Sequence, residues 1–230
     1  MENDLAVIAN LFGEPARAAM LLSLMNGRAL PAGELALTAN VSPQTASGHL
    51  SKLVQAGLLA VETQGRHRYY RLAGTSVADA VESLMALAHS GHERKNAEPP
   101  AEGTLAYART CYSHLAGWLG VRMTETLEQQ GLLLPAQGKA FAVSDAGRAW
   151  FQELGIAIPA ARNGARENVA RRCLDWTERR PHLSGTLGVA LARRLDELRW
   201  IAPIRNSRAV RVTLEGKQQL WKLLRLPLRG

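Results

Sequence analysis

The chain holds two cysteines and six histidines, and a few of them are spaced so that they could do chemistry. Cys111 and His114 stand in a C-x2-H spacing, which lets two side chains converge from one helical turn. Cys173 joins them only if the two parts of the chain that carry them meet. Three readings of this set stay open. It could be a thiol pair that responds to oxidants or electrophiles, a soft-metal site that also uses His114, or two small buried side chains without partners. Arg109 beside Cys111 and Arg171-Arg172 before Cys173 are cations of the kind that lower a thiol pKa. His114 and His182 hold equivalent places in an internal repeat, which fits a histidine that supports its own turn by hydrogen bonding.

All five tryptophans, Trp118, Trp150, Trp176, Trp200 and Trp221, fall in the second half. With the arginines of that half they could line a pocket for an aromatic or anionic small molecule, by stacking and charge-assisted hydrogen bonds. The candidate effector-binding set is Cys111, Tyr112, His114, Trp118, Trp176 and His182. Core tryptophans and solvated arginines are the competing reading. No nucleotide loop, nucleophile elbow, zinc-protease helix or paired-acid motif occurs. The chain is therefore not read as an enzyme, and it is assigned no catalytic residue, metal ligand or cofactor.

A different chemistry is written between Val41 and Leu72. Ser42 is a good helix N-cap and Pro43 suits the first helical position; Ala46, Leu50, Leu53 and Val54 then recur at helical spacing. The opposite face carries Gln44, Thr45, Ser47, Gly48, His49 and Lys52, which can hydrogen-bond base edges or phosphates. Gly57 ends the helix. Leu58–Val61 reads as an apolar strand, Gln64–Arg66 as a turn, and Arg68–Leu72 as a returning strand, so Arg66 and Arg68 make a basic hairpin tip. The predicted DNA-binding set is Ser42, Gln44, Thr45, Ser47, Gly48, His49, Lys52, Arg66 and Arg68.

With the preceding segment Leu35–Asn40, the pattern S-P-Q-T-A-S-x-H-L-x-x-L-x-x-x-G-L-L followed by G-R-x-x-Y-Y resembles the winged-helix regulators of the ArsR/SmtB family over roughly residues 4–90. The resemblance implies a dimeric repressor of a double-stranded DNA operator. It also implies a dimer interface built by the first and last helices of the domain, here Leu5, Ile8, Leu11 and Phe12 with Val81, Leu84 and Leu87. The metal sites of that family are largely missing. Glu34–Thr38 contains no cysteine, and of the four positions expected along the last helix only Asp79 and His92 carry ligand types.

The elements that must position these residues follow from composition and pattern. A chain of 230 residues can bury a sizeable core in one or two domains. No apolar run reaches the roughly 18–20 residues that span a bilayer, and the acidic N-terminus is unlike a secretory signal, so a cytoplasmic protein without membrane contact is expected. The net charge of +8 is uneven: residues 1–103 carry 8 basic against 10 acidic residues, residues 104–230 carry 20 against 10.

Residues 1–89 are expected to form a winged helix-turn-helix DNA-binding and dimerisation domain. The Pro-Pro-containing stretch 90–103 reads as a linker. Residues 104–230 are expected to form an effector-sensing domain. In that domain His114–Pro135 matches His182–Pro203 at an offset of 68, and Lys139–Arg148 matches Arg208–Lys217 at 69. The fold class is mainly α with short β-hairpin wings (α+β), the second domain being two winged-helix-like repeats joined through a basic helix near Arg166–Arg179. The function expected is release from DNA by a small-molecule effector; the rivals are a redox or soft-metal sensor using Cys111, Cys173 and His114, and an architectural DNA-binding protein without effector.

Overall fold

The computed structural model describes residues 2–89, 98–158, 169–205 and 207–226. They divide into two compact units, residues 1–81 and 82–230. Among the described residues no single helix is long and apolar enough to cross a membrane.

The first unit runs α1 (Glu2–Gly13), α2 (Pro15–Ser23), β1 (Leu30–Pro31), α3 (Ala32–Thr38), α4 (Pro43–Gln55), β2 (Leu59–Gln64) and β3 (His67–Leu72), and takes in the start of α5 (Thr75–Ala88). Each boundary has a local cause. The Glu14 carboxylate accepts from the Ala16 and Arg17 amides, Ser42 Oγ accepts from the Thr45 amide at 3.1 Å, and prolines open α2 and α4. Gly57 leaves α4 at φ 71°. The strands form one antiparallel sheet in the order β1-β3-β2, with Gln64 opposite His67. Gly65 opens the two-residue turn between them at φ 60°, the place where such turns favour glycine. Met20, Leu21, Leu24, Met25, Leu35, Leu50, Leu53 and Leu72 are buried in the core between helices and sheet. Each contributes about 1.5–3 kcal/mol of transfer free energy.

The second unit is a repeat of hairpin, helix, hairpin, helix. The first copy is β4 (Arg109–Cys111), β5 (His114–Ala116), α6 (Gly117–Gln129), β6 (Leu133–Pro135), β7 (Phe141–Val143) and α7 (Asp145–Glu153). The second is β8 (Arg171–Leu174), β9 (Pro181–Ser184), α8 (Gly185–Glu197), β10 (Ile201–Pro203), β11 (Val210–Val212) and α9 (Leu214–Leu224). The copies agree in detail. Ser144 Oγ accepts from Gly147 N at 2.9 Å to start α7, and Thr213 Oγ1 accepts from Gly216 N at 3.0 Å to start α9. Gly147 and Gly216 are needed there, since a Cβ on either would come within 2.1 Å of the Leu132 or Trp200 carbonyl oxygen.

Two expectations change here. Each copy opens with a hairpin that precedes the helix on which the two halves align in sequence. The segment Arg171–Arg179 is a strand and a turn rather than a basic helix; Arg166 lies outside the described residues. The Asp175 carboxylate accepts from the Thr177 and Glu178 amides at 2.9 and 3.1 Å, a local side-chain turn that competes with helix formation. His92 and residues 90–97 of the expected linker also lie outside the described residues. Residues 98–102 are described, and Glu102 pairs with Lys217 at 2.8 Å.

The halves interlock through their opening hairpins. Thr110 N donates to Arg208 O at 2.9 Å and Val210 N to Ala108 O at 3.0 Å, while Phe141 N donates to Ala170 O at 2.9 Å and Arg172 N to Lys139 O at 2.7 Å. Each opening hairpin is thus tied to the second hairpin of the other half. The core between them gathers Trp118, Leu119, Leu127 and Phe151 from the first copy with Leu187, Leu191, Leu195 and Trp200 from the second.

Candidate nucleic-acid interface and a buried cysteine–histidine cluster

Helix α4 buries Ala46, Leu50 and Leu53 completely and turns its other side to solvent. Ser42, Gln44, Thr45, Ser47, Gly48 and Lys52 are exposed, as are Arg66 and Arg68 at the hairpin tip. A Cβ at Gly48 would meet nothing within 4 Å. The fold therefore does not require a glycine in the middle of this helix, where glycine costs about 1 kcal/mol relative to alanine. His49 differs from its neighbours. Its side chain is 16% exposed, with Nδ1 3.5 Å from Glu14 Oε2 and 3.4 Å from Arg17 Nη1. Arg17, itself buried, also donates from Nε to Leu11 O at 3.0 Å and from Nη2 to Asn10 O at 2.7 Å. His49 thus belongs to the contact that locks α4 to the α1–α2 corner, and is not presented with the open face. Its spacing from Ala46 and Leu53 put it at the edge of the buried stripe, a signal available in the sequence.

In the second unit, Cys111 stands opposite His114 in the β4–β5 register, and Cys173 opposite His182 in the β8–β9 register. The four side chains converge from two hairpins, not from one helical turn. Sγ of Cys111 lies 4.0 Å from Sγ of Cys173, Nε2 of His114 lies 3.0 Å from Nε2 of His182, and all four ligand atoms lie within 4.8 Å of one another. The histidines face each other across the seam between the copies, and His182 also lies 3.4 Å from Asp175 in the turn of its own hairpin. Helices of the opposite half reach this seam through glycine: a Cβ on Gly120 would touch His182 Cβ at 3.6 Å, and one on Gly188 would touch His114 Cβ at 3.5 Å.

Electrostatics polarise the cluster. The contact with the Cys111 thiol, helped by His114 and His182 and opposed by burial, pulls the Cys173 thiol well below its ordinary range. The same contact and burial push Cys111 up. Burial works against charge on His182, but Asp175 and Cys173 outweigh it and raise the imidazole to about 9. Asp175 is fully buried, and although burial opposes its charge, His182 and Arg109 hold its carboxyl well below the usual range.

Asp175 is the hub of a buried network that no sequence motif announces. Its Oδ2 lies 3.4 Å from His182 Nδ1 and accepts from Arg109 Nη2 at 2.9 Å and from the Gly117 amide at 2.7 Å. Arg109 Nη2 lies 3.9 Å from Glu82 Oε2, and Arg208 Nη1 donates to Glu82 Oε1 at 3.2 Å. Glu82 is buried and sits on α5.

The remaining members of the effector set are dispersed. Trp118 is buried and stacks on Tyr107 at 5.4 Å. Trp176 lies between the Arg109 guanidinium, 4.6 Å from its ring centroid, and His89, also at 4.6 Å. Tyr112 occupies the β4–β5 turn at φ 57°. A cleft beside α7, lined by Arg148, Gln152, Gly155, Ala157 and Ile158, includes none of the six.

Residues 12–62 match a family model described as a helix-turn-helix domain. The chain is 46% identical over 217 residues to the HTH-type transcriptional regulator YdfF of Bacillus subtilis (strain 168), covering 94% of this chain and 95% of that relative. The chain belongs to the helix-turn-helix family of transcriptional regulators. Since the relative is matched along nearly its whole length, the second unit is part of the likeness and not an addition to it. The regulator is also similar to two solved structures. NolR from Sinorhizobium fredii is 26% identical over 37% of this chain and 85% of that one, with a TM-score of 0.35. The homodimeric winged helix-turn-helix domain of Mb0332 from Mycobacterium bovis is 24% identical over 42% and 88%, with a TM-score of 0.38.

Proposed function

We propose that the regulator is an ArsR-type repressor that binds an inverted-repeat operator as a homodimer and leaves it when its second unit takes up an effector. The observation that carries the DNA-reading half is the open face of α4: Gln44, Thr45 and Ser47 stand exposed on a helix capped by Ser42. The glycine beside them, Gly48, leaves room for close approach of a base or phosphate. Gln suits a bidentate contact to adenine, and Thr or Ser suits several bases. Lys52, Arg66 and Arg68 supply cations for the phosphates on either side.

Dimerisation is supported by apolar side chains that the fold leaves uncovered. Leu5 and Val7 on α1 are 74% and 58% exposed, and Leu84 and Leu87 on α5 are 45% and 68% exposed. Leu11 and Val81, also expected at the interface, are buried in the first unit instead.

Selection of duplexes from a random library by the purified full-length chain tests this reading. The expected product is an inverted repeat with half-site centres about 10–10.5 base pairs, or a multiple of that, apart. Retention of unrelated duplexes with equal affinity would instead favour an architectural DNA-binding protein.

A further inference from the structure

Two ring nitrogens in hydrogen-bond contact at 3.0 Å and two sulfurs 4.0 Å apart form a cluster that can close around a single ion but has no room for an organic molecule. Zinc bonds nitrogen at about 2.0–2.1 Å and sulfur at about 2.3 Å, so a tetrahedral site has N–N and S–S edges of about 3.3 and 3.8 Å. These two edges are matched to within about 0.3 Å, and all four ligand atoms lie within 4.8 Å of one another. Two sulfurs and two imidazoles gathered in one cluster select a zinc-class ion over the oxygen-seeking cations, and four protein ligands leave no open position for catalysis. The surroundings fit as well. Asp175 Oδ2 stands 3.4 Å from the other ring nitrogen of His182, the side from which a carboxylate supports a metal-binding histidine. Cys173 is the half-buried member of the four and gives an ion a way in.

We propose that Cys111, His114, Cys173 and His182 hold one tetrahedral zinc-class divalent ion, and that this ion is the regulator's effector. Binding takes both cysteines as thiolates and both histidines as neutral imidazoles, so whatever thiol and imidazolium protons the four side chains carry are released to solvent, with no change of oxidation state. One ligand pair comes from each copy of the repeat, so the ion clamps the two halves together. The route outward is the chain of buried charges His182, Asp175, Arg109 and Glu82, which ends on α5, the helix that the DNA-binding unit shares. The effector clause rests on the regulator reading above; the ion site itself does not.

The test uses the full-length chain, purified under reductant, stripped with a chelator and titrated with Co(II). One equivalent is expected to bind with the intense visible ligand-field bands of tetrahedral Co(II) and the ultraviolet charge-transfer band of thiolate ligation, both abolished by Zn(II). Cys111→Ser, Cys173→Ser and His182→Gln are each expected to lose these bands. Should a variant fold poorly, the titration of the unaltered chain decides alone: weak octahedral bands or far less than one equivalent overturns the site. Affinity for the selected operator is then compared with Zn(II) and with chelator, and a weakening of about 5–150-fold with Zn(II) is expected. A filled tetrahedral site with unchanged operator affinity overturns the effector clause. Failure to take up Co(II) in a chain that still selects an operator overturns this inference and leaves the proposed function standing. Tetrahedral Co(II) uptake with no operator selected under either condition supports the site and sinks the regulator reading with its effector clause.

Discussion

Gly120 and Gly188 are twins 68 residues apart, each at the point where a helix of one repeat crosses the hairpin of both. A Cβ added to Gly120 would come within 2.6 Å of Leu115 O and 3.6 Å of His182 Cβ; one added to Gly188 would come within 2.4 Å of Leu183 O and 3.5 Å of His114 Cβ. The neighbours closest to each are backbone carbonyls held by strand pairing, which cannot step aside cheaply. Alanine at either position is expected to destabilise the second unit by about 1–3 kcal/mol, as overpacking does elsewhere. Thermal unfolding of the single variants checks this, and an unchanged midpoint for both would mean that helix and hairpin are not so close.

Base reading is expected to separate from helix positioning on the same element. Gln44→Ala or Ser47→Ala should weaken binding to the selected operator by about 1–3 kcal/mol and change binding to random duplexes far less. His49→Ala, which removes the contact to Glu14 and Arg17, should instead lower thermal stability and weaken both duplexes alike. Titrations on the two DNAs, set beside melting curves, make the comparison; selective loss from His49→Ala would return that residue to the reading face.

Gly48 offers a test with opposite signs. Because a Cβ there meets no protein atom, Gly48→Ala should stabilise the first unit by about 0.5–1 kcal/mol through helix propensity. The same methyl group should weaken operator binding if a base or phosphate packs against the bare backbone. A variant that is more stable and binds as tightly as before would show that DNA does not approach α4 at this point.

The hairpin tip is expected to touch phosphates. An Arg66→Ala, Arg68→Ala double variant should lose affinity for all duplexes, and the slope of log affinity against log salt should become shallower by about one for each phosphate no longer neutralised. Affinity measured over a series of salt concentrations settles the matter, and an unaltered slope would place the tip away from DNA.

What was legible in the sequence was whatever short-range chemistry decides. Ser42-Pro43, the 3–4 spacing of Ala46, Leu50 and Leu53, and Gly57 and Gly65 each act on residues within about one turn of themselves, so α4 and its hairpin could be read as they are found. The repeat was legible too, because α6 and α8 keep equal lengths and patterns. The equivalence of Cys111 and Cys173 was not. Two residues separate Cys111 from His114 and eight separate Cys173 from His182, so an alignment on the helices sets Cys111 against Arg179. Only strand pairing, which places each cysteine opposite its histidine, restores the match. Asp175, Arg109 and Glu82 lie still further apart in the chain, and nothing local marks them as partners. Their burial makes sense only once three segments have closed around them, because a charge leaves water only where the fold brings it a counter-charge.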